Sequence, residues 1–212
     1  LLKYLRIYLR MYIMNVFYIN LDSRTDRKQL VENELNELEW KYERFPAIEK
    51  EDGRLGCSMS HLRVLMMAKE RNLDYVVILE DDIHFQKPRF FNEHFKKAIT
   101  HDFDVLLIAG NIRPPITPTD NPNLFRVQKS YTTTGYIVKN HYYDKLIQNY
   151  KMGILQLMKN PEQLGRYEID VFWDTLQQED NWFIIMPRTV TQLVDYSDIL
   201  KKDVNYDHLM LD

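Results

Sequence analysis

Apolar residues occur in short unbroken runs, separated by longer polar stretches in which apolar positions recur every three or four residues. The first run, residues 16–19, predicts a buried strand. The polar stretch after Asn20-Leu21-Asp22-Ser23 then carries Leu30, Val31, Leu35 and Leu38 at helical spacing. An extended segment over residues 41–47 leads through a charged loop to Ser58 and Ser60, expected to cap a helix with Leu62, Leu65 and Met66 on one side. Residues 75–79 are almost continuously apolar, as in a parallel strand buried on both faces. Pro88 opens a helix with Phe90, Phe91 and Phe95, and residues 104–108 predict a strand ending in Ala109-Gly110-Asn111. Pro114, Pro115, Pro118 and Pro122 predict a long loop over residues 113–123. A strand over residues 136–138, a helix capped by Asn140, a short helix over residues 169–176 and a strand over residues 182–186 complete the pattern. The alternation implies an α/β fold with an open, mainly parallel sheet flanked by helices.

Composition narrows the class. With 212 residues, 45% of them hydrophobic, the chain can bury one sizeable core. Lys plus Arg number 28 against 31 Asp plus Glu, so no overall basic field draws it to nucleic acid or to an anionic membrane. Cys57 is the lone cysteine, which excludes an internal disulfide, leaves no second thiolate for a zinc site and suits a reducing, cytoplasmic compartment. Residues 1–13 place Lys3, Arg6 and Arg10 at helical spacing, too short to span a membrane and without the small-residue pair of a secretory cleavage site. They read as an extra helix or upstream extension, with peripheral membrane association as the alternative, and residues 14–212 as one domain.

Candidate chemistry begins directly after the apolar run at residues 75–79, with Glu80, Asp81 and Asp82. Ligands of open α/β sheets collect beyond the carboxyl ends of the strands. Alternate side chains of an extended tripeptide point the same way, so Glu80 and Asp82 would share a ligand while Asp81 faces elsewhere. Two such charges call for a cation. An all-oxygen set favours Mn²⁺ or Mg²⁺, brought partly by a diphosphate. Metal phosphatases, nucleotidyltransferases and sugar-nucleotide transferases all place carboxylates in this way, and an acidic strand-end turn, solvated or paired with Lys or Arg, is the bland alternative.

Three ordered segments choose among these. Phe17-Tyr18-Ile19-Asn20-Leu21-Asp22 with Arg24 and Arg27, then Gly56-Cys57-Ser58-Met59-Ser60-His61, then Ile78-Leu79-Glu80-Asp81-Asp82 resemble glycosyltransferase family 25. That group contains lipooligosaccharide-biosynthesis enzymes, procollagen galactosyltransferases and a giant-virus branch. Weaker similarity continues through Thr134-Gly135-Tyr136, Ile169-Asp170 and Tyr196-Ser197-Asp198-Ile199. The resemblance implies a GT-A-like, Rossmann-type fold and inverting transfer of a hexose, galactose or glucose, from a UDP-sugar. The acceptor would be a glycan or a hydroxylysine-type hydroxyl of a collagen-like protein.

Under that resemblance Asn20 and Leu21 end the first strand where they would read a uracil or ribose edge, or else the turn is only a helix cap. Arg24 and Arg27 would face a diphosphate or pair with surface acids. Ser58, Ser60 and His61 would border the donor, with Asp81 assisting, and Gly135 would permit close backbone approach to the donor sugar. Asp82, helped by Glu80, would hold Mn²⁺. Asp170 is the candidate base that accepts the acceptor's proton, or else only orients the acceptor, and Trp173 and Asp174 would contact the acceptor, with Asp170 and Asp174 on one helix face; the alternative is an amphipathic helix with Val171, Phe172 and Trp173 partly buried. Gln192 and Asp198 are weaker candidates. A noncatalytic nucleotide-sugar-binding module is the competing class, and a metal phosphohydrolase the third.

Overall fold

The computed structural model describes residues 15–212; the expected helix or extension over residues 1–13 lies outside the described residues. An eight-stranded sheet runs in the order β2 (Tyr42–Pro46), β1 (Val16–Asn20), β3 (Tyr75–Glu80), β8 (Ser130–Lys139), β5 (Val105–Ile112), β9 (Trp182–Ile185), β7 (Leu124–Val127), β6 (Ile116–Pro118). Strands β8 and β7 run against the other six, so the sheet is mainly parallel in strand direction and mixed in its pairings.

Alternation along the strands supplies both faces. Val16, Tyr18, Val77 and Leu79 join the core beneath α1 (Thr25–Glu37) and α3 (Pro88–Ala98). Phe17, Ile19, Val76 and Ile78 join the core beneath α2 (Gly53–Glu70) and α4 (Tyr143–Lys159). This is the open α/β architecture the apolar pattern implies. No helix among the described residues is long and apolar enough to cross a membrane.

Four local expectations are corrected. Helix α2 starts at Gly53, with Asp52 accepting a hydrogen bond from Arg54 N, so Ser58 and Ser60 lie inside the helix and cap nothing. Their hydroxyls instead bond back to the carbonyls of Arg54 and Gly56 at 2.8 and 2.7 Å. The proline-rich stretch contains β6, an exposed edge strand, where Pro118 breaks no central ladder. The helix expected over residues 169–176 is split at Trp173 into α5 (Ile169–Phe172) and α6 (Asp174–Glu179). The strand expected over residues 136–138 is the ten-residue β8, inserted antiparallel between β3 and β5.

That insertion positions the site. Leu79 of β3 pairs with Gly135 of β8, so the first residues of β8 stand beside the carboxyl end of β3. On the other side Ile19 pairs with Glu80, which sets Asn20 beside Asp81. After the turn at residues 81–82, β4 (Ile83–Phe85) pairs with β10 (Val190–Gln192), bringing the C-terminal segment over the same edge.

Candidate active site

The three acids following the central run point into different surroundings. Asp81 accepts from Asn20 Nδ2 at 2.7 Å and from Arg27 Nη1 at 3.3 Å. Asn20 is 1% exposed, donates also to Arg24 O, and accepts from Arg44 Nε at 2.8 Å. Its amide is therefore engaged within the fold and does not offer a free edge to a base. Leu21 belongs to the same turn, its carbonyl accepting from Arg24 N at 3.0 Å.

Glu80 and Asp82 share one neighbour, as their alternation predicts. Gln192 Nε2 reaches Glu80 Oε2 at 3.4 Å and Asp82 Oδ2 at 3.2 Å. The other oxygen of Glu80 faces a different wall: Thr133 Oγ1 at 2.7 Å, His61 Nε2 at 3.4 Å and Cys57 Sγ at 3.7 Å. Burial alone would raise the Glu80 carboxyl, but His61, Thr133 and Cys57 together hold it below its usual range. Asp82 has weaker support. Burial and the charges of Glu80 and Asp81 push it up to about 8, against the opposition of Arg27 and Gln192. Arg27 Nη1 stands 3.6 Å from Asp82.

His61 does not border open solvent. It is 1% exposed, with Nδ1 2.9 Å from the Tyr136 hydroxyl, and its neighbours place it behind Glu80 rather than in a donor cleft. Ser60 is equally buried, its oxygen accepting from Ile48 N, and Ser58 is bonded to its own helix. Gly135 lies mid-strand, where a Cβ would meet Ile83 Cδ1 at 2.9 Å and Leu79 Cδ2 at 3.1 Å. Its smallness serves aliphatic packing beneath the acidic turn, not close approach to a sugar.

Both arginines expected at a diphosphate are turned to carboxylates. Arg24 bonds Asp195 at 2.6 Å and Asp198 at 2.7 Å, besides its neighbour Asp26. Arg27, its side chain 8% exposed, reaches Asp195 at 2.9 Å and Tyr196 O at 2.8 Å. The strand β11 (Asp195–Ser197) thus straps the start of α1. The outcome is the surface-acid pairing that stood beside the diphosphate reading.

Asp170 Oδ2 accepts from Thr132 N at 2.9 Å, and burial raises its carboxyl, Glu80 adding to the shift and the Thr132 N–H opposing it. Tyr206, which sequence reasoning missed, carries a hydroxyl raised by burial and by the charges of Asp170 and Asp82. One phenol therefore lies in the field of both acids. Trp173 is 0% exposed, donates to Ser130 O at 3.1 Å and packs edge-on against Tyr136 and Trp182. It is core and offers no face to an acceptor. Asp174 pairs with Lys129 at 3.4 Å, and the break at Trp173 separates it from the helical turn that carries Asp170. Thr133 was also missed; its signal was its place one residue before the Thr134-Gly135-Tyr136 segment.

The residues fit a hard divalent cation. Glu80 Oε2 and Asp82 converge on a single amide donor, and burial together with the charges of Glu80 and Asp81 keeps Asp82 from ionising in the ordinary range. A cation between these oxygens relieves that excess.

Residues 51–160 match the family described as Glycosyltransferase family 25 (LPS biosynthesis protein). A Drosophila pseudoobscura glycosyltransferase 25 family member is 24% identical over 160 residues, covering 58% of this chain and 25% of that protein. A Xenopus laevis procollagen galactosyltransferase 1-B is 24% identical over 177 residues, covering 65% of this chain and 28% of that protein. The chain thus spans about a quarter of the length of these curated relatives. Among solved structures, a mannose-1-phosphate geranyltransferase from Thermus thermophilus aligns with a TM-score of 0.49 at 7% identity, covering 82% of this chain and 74% of that one. A glycosyltransferase that acts in glycosylation of the PBCV-1 major capsid aligns at 0.39 and 9%, covering 81% and 91%. With more than half of its residues matched by the family's pattern, the chain belongs to glycosyltransferase family 25.

Proposed function

We propose that residues 14–212 form one inverting glycosyltransferase domain that moves a hexose from a UDP-sugar to a glycan or hydroxylysine-type hydroxyl. Family membership supports transfer chemistry, and the name of the Xenopus relative makes galactose the first sugar to test, with glucose second. The observation that carries the reading is the pairing of two acidic walls: Glu80 and Asp82 converging on Gln192, and Asp170 held by Thr132, with Tyr206 in the field of Asp82 and Asp170.

Glu80 Oε2 and Asp82 would hold Mn²⁺ or Mg²⁺, which when bound supplies positive charge to the departing nucleoside diphosphate. Gln192 keeps the two carboxylates aligned. Asp170, raised by burial, is suited to take the proton of the attacking hydroxyl on the opposite sugar face, the geometry inversion requires. Tyr206 would orient a sugar hydroxyl between the two walls. The buried hydrogen bonds of Asn20 and Asp81 hold the turn that presents Asp82, so these two residues shape the site without touching the donor.

The test is UDP release from a panel of UDP-sugars with Mn²⁺, Mg²⁺ or chelator. Metal-dependent release from UDP-galactose or UDP-glucose is expected. Absence of release from every donor, in the presence of glycan and hydroxylysine acceptors, contradicts the reading.

A further inference from the structure

The face of Glu80 turned away from Asp82 carries a different donor set. Cys57 and His61 stand one helical turn apart on α2, and Cys57 Sγ, His61 Nε2 and a Glu80 oxygen all lie within 4.8 Å of one another. Two of the separations are 3.7 Å for Sγ to Oε1 and 3.4 Å for Nε2 to Oε1. A tetrahedral zinc ion with bonds of about 2.0–2.3 Å holds its ligand atoms roughly 3.3–3.6 Å apart. Those two separations are close to tetrahedral edges, and the third, from Sγ to Nε2, lies within 4.8 Å.

We propose that Cys57, His61 and Glu80 Oε1 form a second cation site, selective for Zn²⁺ and distinct from the oxygen site on the other side of Glu80. One thiolate, one imidazole and one carboxylate favour zinc over manganese or magnesium, which prefer oxygen. Three protein ligands leave a fourth position for water or for Thr133, whose hydroxyl already touches the same Glu80 oxygen at 2.7 Å. Entry is from the Glu80 side, where that side chain keeps 20% of its surface exposed.

Support behind the ligands is already present. Tyr136 OH lies 2.9 Å from His61 Nδ1, and Tyr150 OH lies 3.0 Å from Tyr136 OH. A metal on Nε2 requires the ring proton on Nδ1, and the Tyr136 oxygen accepts it there. The thiol proton leaves to solvent as the S–Zn bond forms, so binding releases one proton. Glu80 then bridges the two sites, Oε1 toward zinc and Oε2 toward Asp82, which fixes the carboxylate.

Cobalt(II) titration of the full chain tests this directly. Cys57 is the one cysteine in the sequence, so any thiolate-to-cobalt charge-transfer band reports this position. The expected result is a saturable band that zinc abolishes by displacement, is lost in Cys57→Ser and persists in Asp82→Asn. Tyr136→Phe should weaken binding roughly 10- to 100-fold through the lost partner of His61. Absence of the band in the wild-type chain at saturating cobalt overturns the proposal, without dependence on any variant folding. A band that disappears in Asp82→Asn also overturns it, because the thiolate-bound ion would then depend on Asp82 and the two sites would not be distinct.

Discussion

Gln192 donates to Asp82 across 3.2 Å, joining the end of β10 to the turn that follows β3. A backbone bond from Leu193 N to Asp82 O at 2.7 Å reinforces the same junction. The acidic turn is thereby fastened to a segment more than a hundred residues later. The C-terminal part of the chain, through the pairing of β10 with β4, thus holds the acidic turn at the sheet edge.

Arg27 is the counter-charge of that junction, contacting Asp81, Asp82 and Asp195 while almost wholly buried. Arg27→Met leaves these carboxylates without their guanidinium and is expected to cost about 3–5 kcal/mol. Because a divalent cation replaces part of the lost charge, Mn²⁺ should raise the melting temperature of this variant more than that of the wild type. Denaturant unfolding checks the cost and thermal melts with and without Mn²⁺ check the shift, and unchanged stability contradicts the role.

The base role proposed for Asp170 requires its ionised form. Burial raises its carboxyl, so transfer should rise with pH through that elevated value and level off above it. Asp170→Asn should remove this limb and lower turnover by about 10²–10⁴-fold, leaving UDP binding intact. A pH–rate profile beside UDP titrations makes the comparison. An unaltered profile would take Asp170 out of the reaction.

Trp173 is expected to act through stability alone. Trp173→Ala removes a fully buried indole and its bond to Ser130 O, at a cost of about 3–5 kcal/mol, whereas an acceptor platform would show as a raised acceptor KM with normal stability. Urea denaturation together with acceptor KM separates the two outcomes.

The apolar runs made the sheet and most of its flanking helices legible, since period-two and helical spacing are set locally by burial. The position of Glu80, Asp81 and Asp82 at a strand end was equally local. What sequence left hidden came from long-range pairing. Arg24 and Arg27 look free at a helix start, and only the return of Asp195 and Asp198 reveals their partners. Ser58 and Ser60 resemble caps because no local feature showed that Asp52 had opened the helix five residues before Ser58. Trp173 and Asp174 suggested a sugar platform by composition, yet the indole is drawn into the core beside Tyr136 and Trp182 by the antiparallel insertion of β8. Tyr206 and Thr133 carry no motif and become visible only through their neighbours.

In the proposed reaction Glu80 and Asp82 hold the cation that accompanies the donor diphosphate. Mn²⁺ binding, read from the loss of its free-ion electron paramagnetic resonance signal with and without UDP, tests this most directly. The wild-type chain should bind Mn²⁺ more tightly when UDP is present, and Asp82→Asn should lose that UDP-dependent binding while keeping a cooperative thermal melt. Equal UDP-dependent binding by the wild type and Asp82→Asn would contradict the account.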